Sequence, residues 1–440
     1  MQALLTSISD RTTRIGIIGL GYVGLPLAVE FARAGFSVTG LDIDRDRVRA
    51  LNRGENPIAD VDDEILRDLV AQKRFRASDD FSRVAGLDAL SICVPTPLNK
   101  LKDPDISHIL DVLNCLQPHL HRPLLVVLES TTYPGTTREL VLPALENSGL
   151  KVGKDFFLCF SPERIDPGNA TYSVANTPKV IGGITPECTR VGQALYETII
   201  TRMVPVSSPE AAEMTKLLEN TYRSINIALV NEMALMAERL GVDIWEIIDA
   251  AATKPFGFTR FTPGPGLGGH CIPIDPHYLA WKMKTLDYRA RFIELAGEIN
   301  TQMPHHVVNL IYRGLNARSI PLSRSSILLV GVAYKPDIDD VRESPALDIM
   351  KLLEEGQARV DYYDPFVPVL RWNGGEKPSV SPLSPEELEG RDAVVIVTHH
   401  SSVDYDLIRR KARLIVDTRN VYAGIREPHI LRLGVGPIQT

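Results

Sequence analysis

The chain has 440 residues, which is enough for two to three domains that each bury a core of their own. Its net charge of -7, with no basic block, argues against nucleic-acid binding by bulk electrostatics, although a few cations in one cleft suffice for an anionic substrate. Five cysteines without a CxxC pair disfavour a disulfide framework or a cysteine zinc site. The first residues lack the apolar segment of a signal peptide, and no apolar run approaches the roughly 20 residues of a membrane span. We therefore expect a soluble, cytoplasmic protein with no metal, nucleic-acid or membrane partner.

Strands alternate with helices over the first half of the chain, and this pattern predicts a parallel, doubly wound sheet. A short polar leader comes first, followed by a buried strand over 14–19 and helical periodicity over 25–34. Further strands are predicted at 37–41, 89–94, 124–128 and 157–160.

A glycine-rich loop, Gly19-Leu20-Gly21-Tyr22-Val23-Gly24, follows the first strand and opens a helix, which is the context that the dinucleotide fingerprint requires. In that fingerprint the first glycine makes a tight turn, the second lets backbone approach a pyrophosphate, and the third permits contact between helix and sheet. The phosphates then lie at the helix N-terminus. The cofactor residues expected in this loop are Gly19, Gly21, Tyr22, Val23 and Gly24.

Asp42 ends the second strand, where its carboxylate can accept hydrogen bonds from the adenosine ribose hydroxyls. A carboxylate there repels a 2′-phosphate, so the sequence favours NAD over NADP. Arg45 and Arg47 follow closely, which leaves NADP disfavoured rather than excluded.

From about residue 208 the pattern changes to helix. The segment 209–240 holds no glycine and no internal proline, and it predicts one helix of roughly 45 Å at 1.5 Å per residue. A helix of that length with apolar residues on several faces is expected to pack against another subunit, giving a homodimer or a higher homo-oligomer. Further helices are predicted at 244–252, 278–284 and 290–315.

A second α/β unit is predicted in the last part of the chain, with strands at 326–330, 359–363, 393–397 and 414–417. The segment 372–385 is rich in Gly, Pro and Ser and predicts a surface excursion. The expected fold is α/β, with two Rossmann-like doubly wound parallel sheets joined by a central helical domain that contains one long helix. The corresponding domains are 1–207, 208–320 and 321–440.

The cysteine loop, residues 263–276 (PGPGLGGHCIPIDP), sets one thiol among glycines and a carboxylate four residues later. Glycines let backbone approach a ligand, and a helix N-terminus favours a thiolate. Taken alone, Cys271 is also compatible with a small buried hydrophobe, and Asp275 followed by Pro276 is compatible with a helix cap. With a nicotinamide site in the same chain, a thiolate suggests oxidation through a covalent adduct.

Other polar residues stand where catalytic groups are expected. Lys216 and Asn220 are four residues apart on the long helix and therefore share a face. That face is either exposed to solvent, or it is buried and the two side chains stabilise an oxyanion. Glu163 and Thr131 each follow a predicted strand, where open α/β sheets bind ligands, and so does Thr96. Singly, each of these three is compatible with turn chemistry.

In this order, the motifs GLGYVGLP, PTP, ESTTYPG, SPER, the lysine–asparagine helix, GPGLGGHCIPIDP and AYKPDIDDVRESPA closely resemble the UDP-glucose/GDP-mannose dehydrogenase family. The resemblance covers about 14–426, nearly the whole chain. The GGHC form of the loop, with PFGF before it and RFIELAGEIN after it, is most similar to bacterial UDP-N-acetylhexosamine 6-dehydrogenases. Those enzymes supply sugar acids for capsule and O-antigen synthesis.

The resemblance implies a four-electron oxidation of the C6 alcohol of a UDP-sugar. Cys271 matches the nucleophile, which forms a thiohemiacetal with the aldehyde and then a thioester. Asp275 and Lys216 match the residues that manage protons and charge at C6, and Lys216 with Asn220 stabilises the oxyanions. Glu163, together with Thr131, positions the water that hydrolyses the thioester.

The resemblance also assigns binding residues. The family pattern places Asp42, Arg47, Thr96, Thr131 and Arg342 with NAD. The positions that match substrate contacts are Glu163, Arg164, Lys216, Asn220, Arg260, Phe261, Gly268, Tyr334, Lys335 and Arg419. Arg260 is a candidate for contact across a dimer, and a local ion pair with Glu343 is the alternative for Arg342.

The preferred substrate is UDP-GlcNAc, with UDP-ManNAc second. UDP-GalNAc and UDP-glucose stay open, although His270 stands where UDP-glucose enzymes usually carry another residue. One rival is an enzyme that performs a single two-electron oxidation with a structural Cys271. The other rival is a regulator that binds NAD or a nucleotide sugar without catalysis, although it has no reason to retain the catalytic set.

Overall fold

The computed structural model describes residues 1–58, 61–99, 103–164, 171–269 and 271–436. The chain forms two compact units. The first comprises Met1–Glu219 with His277–Tyr288, and the second comprises Asn220–Pro276 with the chain from Arg289 onward. Each unit contains its own main sheet, parallel throughout in the second unit and mostly parallel in the first, and its own buried apolar cores.

The strands of the first unit are β1 (Arg14–Ile18), β2 (Ser37–Leu41), β3 (Phe75–Ser78), β4 (Ala89–Ile92), β5 (Leu124–Leu128), β6 (Phe156–Phe160), β7 (Lys179–Gly183) and β8 (Met203–Pro205). The helices that precede residue 208 are α1 (Gln2–Ser9), α2 (Gly24–Arg33), α3 (Arg45–Asn52), α4 (Asp63–Ala71), α5 (Ser107–Leu116), α6 (Leu142–Glu146) and α7 (Pro186–Tyr196). The strands form one sheet in the order β3-β2-β1-β4-β5-β6-β7-β8.

The strand order confirms the doubly wound arrangement, because the chain moves outward from β1 in one direction and returns to β4 on its other side. Every pair from β3 to β6 is parallel, whereas β7 runs antiparallel to β6. The sequence pattern did not predict β3, β7 or β8. These strands are short or contain glycine, which weakens the apolar pattern on which such predictions depend.

The leader is not merely polar. It forms α1, in which Leu4 and Ile8 lie one turn apart and are buried in the core of the first unit. The centre of the sheet is built as predicted, since all five residues of β5 are buried.

The long helix α8 (Pro209–Leu240) has 32 residues and the predicted bounds. The remaining helices are α9 (Ile244–Ala252), α10 (Asp275–Lys284), α11 (Arg291–Asn316), α12 (Pro345–Glu355), α13 (Pro385–Glu389) and α14 (Tyr405–Lys411). None of the helices in the described part of the chain has both the length and the apolar composition that crossing a membrane requires.

The strands of the second unit are β9 (Ser326–Val330), β10 (Arg359–Tyr363), β11 (Val369–Trp372), β12 (Gly375–Pro378), β13 (Ala393–Ile396), β14 (Ile415–Asp417) and β15 (Ile430–Arg432). Five of them pair in parallel in the order β10-β9-β13-β14-β15, which confirms a second α/β unit. The predicted surface excursion, all of which the structure describes, contains no buried residue, and it includes part of an antiparallel hairpin, β11–β12, and the start of α13. Asn373 and Gly374, with φ of 50° and 79°, make its turn, and this Asn-Gly pair was a hairpin signal in the sequence.

Candidate active site

The glycine loop between β1 and α2 has the geometry of a phosphate cradle. Gly19 has a φ of 88°, and a Cβ built on it lies 2.8 Å from the carbonyl oxygen of Cys93. A Cβ on Gly24 lies 1.8 Å from the carbonyl oxygen of Gly19, so a side chain at either position forces the backbone to move. No atom in the described chain lies within 4 Å of a Cβ built on Gly21, which leaves backbone open to a ligand. The loop therefore fits a dinucleotide.

Asp42 is held at the end of β2. Its Oδ2 accepts the backbone N–H of Leu20 at 2.8 Å and a hydrogen bond from Arg47 Nη1 at 3.0 Å. The carboxylate is thereby oriented beside the glycine loop, and the guanidinium offsets part of its charge. Tyr22 lies exposed on the same loop. Thr96, which is buried, follows β4, and its carbonyl oxygen accepts the Tyr278 hydroxyl at 2.7 Å.

Glu163 follows β6 and belongs to a buried ion cluster, which we define as Glu129, Glu163 and Lys179. Glu163 Oε1 accepts the backbone N–H of Arg164 at 2.6 Å, and Oε2 lies 3.6 Å from Lys179 Nζ. Lys179 in turn donates to Glu129 Oε2 at 2.7 Å. Burial raises the pKa of Glu129, whereas for Lys179 the effect of burial is outweighed by the two carboxylates, which raise its pKa.

Arg164 directs its guanidinium away from Glu163. Its Nε and Nη2 donate to both carboxylate oxygens of Glu219, and its Nη1 donates to the carbonyl oxygen of Pro178 at 2.7 Å. The bidentate pair with Glu219 fixes the segment after β6 to α8.

The loop after β5, which carries Thr131, is fixed by Glu213 of α8. One carboxylate oxygen of Glu213 accepts the Gly135 N–H at 2.6 Å, and the other accepts the N–H and the hydroxyl of Thr137 at 2.9 and 2.7 Å. Burial raises the pKa of Glu213 to about 7, while these three donors oppose the rise. Lys216 is buried on the same helix, three residues further on.

Asn220 lies one turn after Lys216 on α8, so the two residues share the predicted face. The Asn220 side-chain amide donates to Asp275 Oδ2 at 2.5 Å. Asp275 is only 2% exposed, and the amide fixes the direction of its carboxylate. The cap interpretation of Asp275 needs a correction, because α10 begins at this residue and Asp275 stands in the first turn rather than before it.

Cys271 lies one turn before α10. Its carbonyl oxygen accepts the N–H groups of Ile274 and Asp275 at 3.2 and 2.8 Å, which ties the cysteine to the start of the helix. The residue is partly exposed and forms no disulfide. A partly exposed thiol next to a helix N-terminus is in the environment that favours the thiolate. His270, the residue before it, lies outside the described residues.

Neutral amides hold the first part of the cysteine loop. Asn231 Oδ1 accepts the Gly264 N–H at 2.9 Å, and its Nδ2 donates to Asn300 Oδ1 at the same distance. Asn300 then donates to the carbonyl oxygen of Ser224. Both asparagines are buried, and the sequence reading did not find them. Each asparagine is a polar residue within an apolar helical pattern. That pattern indicates a buried polar side chain, but it does not indicate which group the side chain bonds.

Tyr334 packs against the second part of the loop. A Cβ on Gly268 lies 2.6 Å from Tyr334 Cβ, and a Cβ on Gly269, whose φ is 90°, lies 2.8 Å from the Tyr334 ring. The Gly269 N–H also donates to the carbonyl oxygen of Arg342 at 3.1 Å. The two glycines thus allow the loop to lie directly on Tyr334, one of the predicted substrate residues. Lys335, the next predicted substrate residue, is partly buried.

Arg419 follows β14 and lies against the same loop, because a Cβ on Gly264 is 2.7 Å from its Nη1. Its Nε donates to the carbonyl oxygen of Val397 at 2.7 Å. Burial lowers the pKa of Arg419 to about 10, so the guanidinium stays charged at neutral pH. A held cation of this kind suits phosphate oxygens.

The three remaining predicted binding residues have local partners. Arg260 is exposed and pairs with Asp249 at 2.8 Å. The ring of Phe261 meets Tyr222 edge to face at 5.8 Å. Arg342 pairs with Asp340 at 2.6 Å. Across the described ranges, no group of three or more His, Cys, Asp or Glu side chains could hold a metal ion.

Family models match the chain in three successive stretches. The NAD-binding domain of the UDP-glucose/GDP-mannose dehydrogenase family matches residues 13–200, its central domain matches 210–302, and its UDP-binding domain matches 328–424. The first match contains the glycine loop, the second contains the cysteine loop, and the third contains Arg419.

Individual relatives are similar over nearly their whole length. The UDP-N-acetyl-D-mannosamine dehydrogenase of Pyrococcus horikoshii is 35% identical over 95% of this chain and 97% of the relative. The UDP-N-acetyl-D-glucosamine 6-dehydrogenase of Pseudomonas aeruginosa is 34% identical over 88% of this chain and 90% of the relative. A solved structure of the Pyrococcus horikoshii UDP-D-ManNAc dehydrogenase has a TM-score of 0.86 at 34% identity and covers 96% of this chain and 99% of its own.

Proposed function

This chain belongs to the UDP-glucose/GDP-mannose dehydrogenase family of NAD-dependent UDP-sugar oxidoreductases, and from that premise we propose that it oxidises a UDP-N-acetylhexosamine to the uronic acid. The preferred substrate is UDP-GlcNAc. UDP-ManNAc is the second candidate, favoured by the similarity to the Pyrococcus horikoshii relative. The product is a sugar acid of the kind that enters capsule or O-antigen synthesis, and the proposed location is the cytoplasm. The observation that carries the four-electron reaction is the partly exposed Cys271 one turn before α10.

Cys271 retains the sugar between two oxidations in this proposal. The C6 alcohol loses a hydride and a proton to become an aldehyde, and the Cys271 sulfur then bonds to C6 and gives a thiohemiacetal. A second loss of hydride and proton leaves a thioester, and water releases the acid and restores the thiol. NAD, when bound, accepts the hydride in each oxidation.

Asp275, Asn220 and Lys216 are proposed to handle charge at C6. The Asn220 amide already fixes the Asp275 carboxylate at 2.5 Å, which supports a role for Asp275 in moving protons at a defined position. Lys216 contributes a buried cation one turn before Asn220 on α8, and a buried cation and amide suit a developing oxyanion.

Glu163, with Thr131, is proposed to position the hydrolytic water. The support is its location after β6 and its two fixed oxygens, one bonded to the Arg164 N–H and one beside Lys179. A fixed carboxylate can hold a water and accept its proton.

The remaining assignments follow the family pattern. Residues 1–207 form the proposed NAD domain, residues 208–320 the proposed central domain, and residues 321–440 the proposed UDP-sugar domain. The proposed NAD contacts are Gly19, Gly21, Tyr22, Val23, Gly24, Asp42, Arg47, Thr96, Thr131 and Arg342. The proposed substrate contacts, besides the residues at C6, are Arg164, Arg260, Phe261, Gly268, Tyr334, Lys335 and Arg419.

An exposed apolar stripe on α8 supports a homodimer. Its residues are spaced by three, four or seven positions, which places them on one face of the helix, and they are Leu218, Tyr222, Leu229, Met233, Met236 and Leu240. A soluble protein rarely leaves such a continuous apolar surface uncovered. Replacing Leu229 and Met236 by Lys is expected to halve the mass in analytical ultracentrifugation, whereas Ile247→Lys, at an exposed site on α9, leaves it unchanged. An unchanged mass in the double variant contradicts a dimer through α8.

The decisive assay measures NADH per sugar with UDP-GlcNAc, UDP-ManNAc, UDP-GalNAc and UDP-glucose. Two NADH per sugar, with the acid as product and UDP-GlcNAc turned over best, is the expected result. One NADH per sugar and a released aldehyde contradicts the thioester route. No NADH with any of the four indicates a binding protein, and a preference for UDP-ManNAc selects the second candidate.

A further inference from the structure

Behind Glu163, the buried ion cluster continues into the core of the first unit. Tyr196 donates its hydroxyl hydrogen to Glu129 Oε1, and the same hydroxyl lies 2.8 Å from the Ser91 oxygen. Lys179 also donates to the carbonyl oxygen of Pro162, at 3.3 Å. Lys179 and Tyr196 are no more than 5% exposed, and Glu129 and Ser91 are 1% exposed. The sequence reading assigned none of these four residues to the site.

Stability alone is a poor explanation for this cluster. Moving a charge out of water costs several kcal/mol, and apolar replacements of a buried ion pair are often neutral or stabilising. The buried cation lies between a carboxylate of the core, Glu129, and a carboxylate at the edge of the sheet, Glu163.

The cluster does not have the form of a proton wire either. From Glu129 the hydrogen bonds lead to Tyr196 and then to Ser91, which is a buried residue of β4. A chain that ends in the interior delivers no proton to solvent. Burial and the adjacent Glu129 charge raise the pKa of Tyr196 well above its ordinary value, which keeps the phenol protonated as a donor.

Charged and titratable groups near Glu163 come from several elements. They include Lys179 at the start of β7, Glu129 after β5, the Cys93 thiol after β4 and Arg164, whose guanidinium is paired with Glu219 of α8. Burial, together with the two carboxylates, raises the pKa of Cys93, so that thiol stays neutral. Lys179 is thus a buried cation that lies next to both Glu163 and Glu129.

We propose that Lys179 is a positioning residue for Glu163, and that Glu129, anchored by Tyr196, holds Lys179 in that place. The ammonium lies 3.6 Å from one oxygen of Glu163 and fixes its direction, so that the carboxylate can hold water and accept its proton. This inference rests on the proposed role of Glu163 in hydrolysing the thioester.

The test is the double variant Glu129→Gln/Lys179→Met. It removes both charges together, retains an acceptor for the Tyr196 hydroxyl and fills the space of the lysine stem, so the core is not left with a single buried charge. The matched control is Glu146→Gln/Lys151→Met, which removes an exposed pair at 4.0 Å in the same unit. Wild type, both variants and Glu163→Gln are compared.

The first readout is the pH profile of acid formation in a single turnover. Lys179 lies between the two carboxylates and is therefore the closer charge to Glu163, so removing Glu129 and Lys179 together is a net loss of positive potential at Glu163. The Glu163 carboxylate then becomes easier to protonate, and the acid limb is expected to move up by up to about one pH unit in Glu129→Gln/Lys179→Met. The rate at pH 7 is expected to fall about tenfold, and the surface control keeps the wild-type profile. A lower melting temperature with an unmoved acid limb overturns the inference and leaves the cluster a structural role only.

The second readout does not depend on catalysis. In glutamate-labelled protein, the carboxyl ¹³C resonance of Glu163 is identified by its loss in Glu163→Gln, and its titration midpoint is measured with no substrate present. An upward shift of about one unit in the double variant supports the role of Lys179 even where the wild type releases only one NADH per sugar, and an unmoved midpoint overturns it. Failure of the proposed function and failure of this inference are therefore separate results.

Discussion

The two units fix their reactive groups by opposite means. In the first unit Glu163 lies in the buried ion cluster with Lys179 and Glu129, and Lys179 is close to both carboxylates. In the second unit the amide of Asn231 accepts the Gly264 N–H of the cysteine loop, and Tyr334 packs on the glycines of that loop. An ion pair lies next to the carboxylate, whereas an amide and close backbone packing hold the loop that carries the thiol.

The difference follows from what each group is proposed to do. A carboxylate that deprotonates water acts in its ionised form, and a neighbouring cation favours that form. A thiol that is a nucleophile in one step and a leaving group in another must not be locked in one state, so a neutral scaffold that sets only its position is suitable. The amide-held loop therefore determines geometry, and the ion cluster determines both geometry and charge.

The largest effect is expected from removing the thiol. Cys271→Ser is expected to reduce acid formation by on the order of 10³-fold, because a serine hydroxyl at neutral pH is a far weaker nucleophile than a thiolate. The measurement is acid produced per enzyme by quenched-flow analysis. Cys115→Ser, at an exposed cysteine, is the control and should retain the wild-type rate. Undiminished acid formation in Cys271→Ser removes the covalent mechanism.

The next effect tests whether the cysteine loop relies on a single oriented carboxylate. Asp275→Asn is expected to lower kcat about 10²-fold with little change in KM, because an amide cannot accept a proton at the position that Asn220 fixes. Asn226→Ala, on the same helix two turns from Asn220, is the control and should change neither constant. A purely structural role for Asp275 predicts instead a lower melting temperature and an unaltered kcat.

The third prediction concerns the first unit and the pH dependence of its free energy of unfolding. The pKa of Glu213 is about 7 when folded, above the ordinary 4.5 of an unfolded glutamate, so the folded state binds more protons between these values. The contribution of Glu213 to the free energy of unfolding is therefore stabilising at low pH, and it is lost as the pH rises from the unfolded pKa through the folded pKa. The expected loss is about 2 kcal/mol in the free energy of unfolding between pH 5 and 8.

This loss is measured by denaturant titration at pH 5 and pH 8 in wild type and in Glu213→Gln, which does not titrate. The other titrating groups are common to both proteins, so the difference between their pH dependences isolates Glu213. Equal pH dependence in the two proteins shows that the burial of Glu213 does not shift its protonation.

The smallest expected effect is a difference in stability between alanine variants of two glycines in the second unit, both of which have positive φ. Gly269→Ala adds a clash with the Tyr334 ring to the backbone strain, whereas Gly257→Ala, with a φ of 70° and no atom of the described chain within 4 Å of its Cβ, adds strain alone. Gly257→Ala is expected to cost about 1 kcal/mol and Gly269→Ala roughly 1–2 kcal/mol more. Denaturant unfolding measures both costs. Equal values mean that Tyr334 does not require a glycine at residue 269.

Particular elements show why parts of this fold were predictable. Strand β5 and the glycine loop were found because a fully buried strand and a phosphate turn have local sequence signals. The bounds of α8 followed from its lack of glycine and internal proline. The prediction missed α1, the short edge strands β3 and β8 and the β11–β12 hairpin, and it made Asp275 the cap of α10 rather than its first residue. Short or marginal elements depend on neighbours that the local sequence does not contain.

By itself, the sequence determined the α/β class, the NAD fingerprint, the family and the place of Cys271 in a glycine loop, because these depend on residues close together in the chain. Only the tertiary structure revealed that Lys179 lies between Glu129 and Glu163, that Asn231 reaches Gly264, and that Asn220 orients Asp275. These pairs are separated by 16 to 55 positions, counted from the residue numbers. The number of residues between two positions does not determine their distance in space across such gaps. Buried polar groups need hydrogen-bond partners, and the fold decides which group becomes the partner of which.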